Sequence, residues 1–171
     1  AFVPWLLTTI IYSRPKLQQK KRTIFGLLLV WLIFFPNAPY IFTDLFHLRV
    51  QSDMPIWFDL ALILSFAWTG ILFGFLSLWD LEKLLKQKMA PKKVYALSSL
   101  LLFITSFGIY LGRYLRWNSW DLLHAPGDIL SDVGSRLFTP WEHPRTWGMT
   151  IFMGLFLNMI YWSLKLWKKR E

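Results

Sequence analysis

The stretch Ile56–Trp79, IWFDLALILSFAWTGILFGFLSLW, decides the fold class of this protein. Its 24 residues hold one charged side chain, Asp59, near the start, and no proline. A bilayer's hydrocarbon core is about 30 Å thick and takes roughly 20 apolar residues of helix to cross. Comparable blocks lie on both sides. Upstream, Ile24–Phe42 (IFGLLLVWLIFFPNAPYIF) has spanning length but carries Pro36 and Pro39 near its end. Ala1–Tyr12 (AFVPWLLTTIIY) is too short to span alone and reads as the tail of a longer helix. Downstream lie Val94–Gly112 and Trp147–Trp167. The pattern predicts an all-α, polytopic transmembrane helix bundle, a single integral membrane domain over residues 1–171. About five spans are expected, at 1–12 (partial), 24–42, 56–79, 94–112 and 147–167.

Composition agrees. The chain is 55% hydrophobic and 17% charged, against about 25% charged in a typical soluble domain. Its mean hydropathy is +0.39. The net charge of +9 does not point to nucleic acid, because the basic residues cluster in short loops beside apolar blocks, where they act as topology signals. With no cysteine, disulfides, thiol catalysis and cysteine-ligated metals are excluded. No residue pattern identifies a cofactor.

The charges also orient the chain. Counted by alternate connections, RPKLQQKKR, EKLLKQKMAPKK and the tail hold 14 of the 19 basic residues. The intervening connections hold Arg49, then Arg113, Arg116, Arg136 and Arg145, and with them 7 of the 10 acids. The positive-inside rule then places the C-terminus in the cytoplasm and the polar runs outside. Between the last two spans, Gly127–Phe138 (GDILSDVGSRLF) sets Ile129, Leu130, Val133, Leu137 and Phe138 at helical spacing, an amphipathic helix suited to the outer interface. Trp57, Trp117, Trp120, Trp141 and Trp147 would form an aromatic belt at that level.

This topology brings four polar stretches to one level: PNAPY, TDLFHL, Asp59 and RYLRWNSWD, together with His47, His124 and His143. Ionisable groups near lipid are costly unless paired or wetted, so the cluster is a candidate site. Asp44, His47, Asp59 and Asp121 are its candidate acid–base residues. Asp44 and His47, spaced i, i+3, would supply an N/O metal site with Asp59, Asp121 or His124, although D-x-x-H is a common pattern. Arg113 and Arg116, also i, i+3, suit a phosphate, and equally suit snorkelling to headgroups or a salt bridge to Asp44. Asn118 and Asp121 would hold those arginines. Pro36 and Pro39 deprive the Leu32 and Phe35 carbonyls of helical partners, and Asn37, Tyr40 or an arginine would replace them. Gly70, Gly74 and Ser77 read as a close-packing stripe, and Asn158 as an interhelical hydrogen-bonding residue.

FFPNAPYIFTDLFHL, IWFDLALILSFAWTGILFGFLSLW and FGIYLGRYLRWNSWD together resemble the bacterial integral membrane family known as domain of unknown function 1361 (DUF1361). The resemblance covers nearly the whole chain. Its motifs match at Pro36, Asn37, Pro39, Tyr40, Asp44, His47, Asp59, Gly112, Arg113, Arg116, Asn118, Trp120 and Asp121. It implies the plasma (inner) membrane as location and names no activity, ligand or catalytic residue.

Three functions fit these features. The first binds or processes an anionic lipid or other phosphate-bearing ligand at the outward Asp/His/Arg cluster, with Arg113 and Arg116 gripping the anion. The second is a transporter or permease subunit using the break at Pro36–Pro39. The third is a non-catalytic structural subunit in which the cluster is a packing lock. The lipid bilayer is the expected partner, with anionic headgroups for the first function. No protein partner is indicated.

Overall fold

The computed structural model describes residues 1–47 and 55–168, and of Lys21, Phe46 and His47 the backbone alone. Arg49 and Asp53 lie outside the described residues. Every element among those described is helical. Four stretches are long and apolar enough to cross a membrane: Arg22–Leu45, Ile56–Lys86, Pro91–Tyr114 and Pro144–Lys168. The apolar helix Phe2–Ser13 is shorter. By contact, the chain divides into two compact units, Ala1–Tyr95 and Ala96–Glu171.

The first unit contains α1 (Phe2–Ser13), α2 (Pro15–Gln18), α3 (Lys21–Phe34), α4 (Asn37–Tyr40), a 3-10 helix (Ile41–His47) and α5 (Ile56–Lys86). α1, α4 and the 3-10 helix all pack on α5. α5 runs on to Lys86 rather than stopping at Trp79, because Glu, Lys and Leu are strong helix formers. Within that extension Lys83 pairs with Asp80 at 3.0 Å and Lys86 with Glu82 at 3.5 Å, and the lysines complement the helix C-terminus. Their ammonium groups also lie over the Tyr12 and Tyr95 rings, at 5.3 and 4.7 Å.

The glycine stripe packs as expected. The Ala38 carbonyl lies so close to Gly70 that a Cβ there would run into it, and a Cβ on Gly74 would meet the Ala38 methyl at 3.1 Å. One turn on, the Trp31 indole N–H donates to Ser77 Oγ at 3.0 Å, and Ser77 Oγ donates to the Gly74 carbonyl at 3.0 Å. Trp31 also stacks on Phe35 with ring centroids 4.3 Å apart. The prolines change the helix type without unwinding it. Phe35, Pro36 and Ile41 all keep right-handed helical torsions. The expected rescue of the Phe35 carbonyl by a side chain is corrected here: its donor is the Ala38 backbone N–H at 3.1 Å, an i→i+3 bond that a tightened turn supplies.

The second unit takes in most of α6 (Pro91–Tyr114), then α7 (Asp121–His124), α8 (Pro126–Phe138), a 3-10 turn (Pro140–Glu142) and α9 (Pro144–Lys168). Gly154 of α9 is covered by the Phe103 ring of α6, which leaves no room for a Cβ. The Asn158 amide donates to the Gly154 carbonyl of its own helix at 2.8 Å and reaches Ser99 O of α6 at 3.4 Å. The expected interhelical bond is thus present, longer than the one within the helix. Trp162 makes the shorter cross-link, donating its indole N–H to Ser99 Oγ at 3.1 Å.

Candidate functional site

In the first unit, Asn37, Tyr40 and Asp44 lie on α4 and the following 3-10 helix, and Asp59 lies in the first turn of α5. Asp44 and Asp59 are half-buried and Asn37 is exposed. Thr43, fully buried beside Asp44, donates its hydroxyl to the Tyr40 carbonyl at 2.7 Å. The His47 side chain lies outside the described set. Among the described residues no three His, Asp or Glu groups converge as a metal site.

In the second unit the RYLRWNSWD run folds differently from its i, i+3 arginine spacing. α6 ends at Tyr114, and Arg116 adopts a left-handed φ of 61°. That conformation turns the chain so that the Trp117 N–H reaches the Leu111 carbonyl at 3.2 Å and closes the helix end. Arg113 stays in the last turn of α6, half-buried, while Arg116 leaves the helix and is exposed, so the two do not share a helical face. Asn118 and Asp121 do not hold the arginines through the bonds seen here. Asp121 Oδ2 instead accepts the Asn118 backbone N–H at 2.7 Å, which locks the turn into α7. His124, exposed, places Nδ1 3.1 Å from the Trp120 carbonyl.

α8 has the expected amphipathic character and starts one residue early, at Pro126, where a missing N–H costs nothing in a first turn. Ile129 is buried, while Leu130, Leu137 and Phe138 are exposed at 70%, 52% and 82%. Exposed apolar bulk on this scale needs a lipid or protein surface to cover it. On its inner side α8 carries a polar knot that sequence reasoning missed. Asp132 Oδ1 accepts from Arg136 Nη1 at 2.9 Å, and Oδ2 accepts the Trp117 indole N–H at 2.7 Å. Trp147, at the start of α9, donates its indole N–H to the Arg136 carbonyl at 3.1 Å. Trp117 and Trp147, expected in the aromatic belt, are therefore half-buried ties, whereas Trp57, Trp120 and Trp141 are exposed. An i, i+4 Asp–Arg pair looks like an ordinary surface pair in sequence; burial of Arg136 is what makes it a core feature.

Beside this knot a cavity of about 270 Å³ opens at the N-terminus of α9, lined by Tyr110, Glu142, His143, Pro144, Arg145 and Thr146. Pro144 occupies the first helical position, and the N–H groups of Thr146 and Trp147 bond back to the His143 carbonyl at 3.1 and 3.4 Å. Thr146 is 1% exposed and its Oγ1 has no hydrogen-bond partner among the described residues. A buried hydroxyl without a partner is uncommon and costs of order 1–3 kcal/mol. Glu142 and Arg145, both exposed, make no hydrogen bond or ion pair through their side chains among the described residues. Arg113 follows Tyr110 by three residues on α6 and so lies one turn beyond the cavity wall. The sequence signal for this place was the run EHPRT, a charged pair bracketing a proline-initiated helix.

No curated protein and no solved structure matches the chain. The family described as Protein of unknown function (DUF1361) matches residues 1–160. The motif-bearing PNAPY–TDLFHL and RYLRWNSWD runs and the α9 cavity all fall within that match, and the chain is a member of the DUF1361 family.

Proposed function

We propose that this chain is a multi-pass protein of the bacterial inner membrane that binds a phosphate-bearing headgroup at its outward face. The cavity at the start of α9 carries this reading: Arg145 and the first turn of the helix line one small opening. The helix dipole favours an anion at this end, and a guanidinium matches phosphate geometry. The exposed apolar side of α8 supports a seat at headgroup depth. The orientation is supported by the basic loops, which put the C-terminus in the cytoplasm.

The test is phospholipid binding to purified protein in mild detergent, followed by native mass spectrometry. Wild type retains phospholipid, and Arg145→Ala weakens retention about tenfold, the scale of one charge-assisted hydrogen bond. A wild type that binds no phosphate-bearing lipid in any mixture overturns the proposal.

The structural-subunit reading is favoured by a different observation. Asp121, His124, Asp132 and Arg136 all have local partners in the turns and helices that carry them. Under that reading alanine changes reduce folded protein and no ligand is found. The transporter reading has less support, because the chain stays right-handed through Pro36–Pro39 and the Phe35 carbonyl is bonded by the backbone.

A further inference from the structure

We infer that the α9 cavity recognises a headgroup carrying both a phosphate and a primary ammonium, the phosphoethanolamine class. This rests on the headgroup-binding reading and narrows it. The cavity presents charges of both signs. Glu142 and Arg145 both line it, yet their side chains make no ion pair with each other or with any described residue. Two opposite charges that line one cavity without pairing suit a dipolar guest, with the phosphate at Arg145 and the helix N-terminus and the ammonium at Glu142.

Glu142 argues against a purely anionic ligand, whose negative charge it would repel. A quaternary ammonium is disfavoured for another reason. Choline-type groups are held against aromatic faces, often in cages of several rings. Tyr110 is the one Phe, Tyr or Trp side chain on this lining, and its ring is stacked on Tyr114 with centroids 4.9 Å apart and planes 22° apart. One face of that ring is thereby covered. A primary ammonium needs no cage, since its three N–H donors reach a carboxylate and a hydroxyl directly. The volume of about 270 Å³ suits a headgroup rather than a larger ligand.

The experiment measures competitive retention of dioleoyl phosphatidylethanolamine, phosphatidylcholine and phosphatidylglycerol by the purified full chain, using native mass spectrometry. Wild type is expected to favour the ethanolamine lipid about tenfold over the choline lipid. Glu142→Gln is expected to bring the ethanolamine lipid down to the choline level and to raise the glycerol lipid, as the like charge is removed. Arg145→Gln is expected to lower all three. The wild-type comparison needs no variant to fold. Equal retention of ethanolamine and choline lipids overturns this inference while leaving phosphate binding standing, and no retention of any of the three overturns both. Glycerophosphoethanolamine is the soluble arm. Competition by it supports recognition of the free headgroup, and its failure to compete where the intact lipid binds supports recognition of the membrane lipid.

Discussion

Replacing Asp132 with alanine should unsettle the outer segment of the second unit more than any surface carboxylate change. The Asp132 carboxylate accepts the Arg136 guanidinium at 2.9 Å and the Trp117 indole N–H at 2.7 Å. The Arg136 side chain is 10% exposed and that of Asp132 35%. Its loss would leave Arg136 with the Asp132 carbonyl at 2.7 Å and Ser135 Oγ at 3.3 Å, while its Nε already has no partner among the described residues. Breaking a fully buried pair costs about 3–5 kcal/mol. Water reaches a third of the Asp132 side chain, so the expected loss falls to about 2–3 kcal/mol. Tryptophan-monitored thermal unfolding in detergent should show it, with faster amide exchange confined first to α8. Asp132→Ala combined with Arg136→Met should be at least about 1 kcal/mol more stable than Asp132→Ala alone, because no stranded guanidinium remains. An Asp132→Ala variant within about 0.5 kcal/mol of wild type, with α8 protected as before, would refute the reasoning.

Three further outcomes follow from particular contacts. Gly70→Ala should destabilise by about 1–3 kcal/mol in the same assay, since its Cβ meets the rigid Ala38 carbonyl, whereas Gly26→Ala, with nothing within 4 Å, should be neutral or stabilising. Arg116→Gly should hold or raise the unfolding temperature, because a left-handed φ costs a non-glycine residue about 1 kcal/mol; a clear drop would mean that the Arg116 side chain holds the loop. The chain has no cysteine, so Lys88→Cys and Ser119→Cys report topology directly. Position 119 should label in intact cells and position 88 only after permeabilisation, and the reverse result would invert the proposed orientation.

Much of the fold class was legible because apolar block length is a one-dimensional quantity. Ile56–Trp79 could be read as a spanning helix without knowing any neighbour, and Gly70, Gly74 and Ser77 as its packing stripe. The helix ends were less legible. Asp80–Lys86 looks like a polar loop by charge but extends α5, because spacing lets those charges pair along the helix. The arginine pair shows the opposite limit: i, i+3 implies one face only while the helix continues, and α6 stops between them at Tyr114.

The sequence by itself determined the helical membrane class and the amphipathic α8. Each follows from the composition and periodicity of one contiguous segment. Tertiary structure decided which polar residues matter to one another. Asp132 and Arg136 became a buried knot only because Trp117 and Trp147 close over them from segments 15 and 11 residues away. Likewise the cavity formed only where Tyr110 of α6 meets the 142–146 turn. Burial and hydrogen-bond completion depend on what packs alongside, and that information is absent from any single stretch of chain.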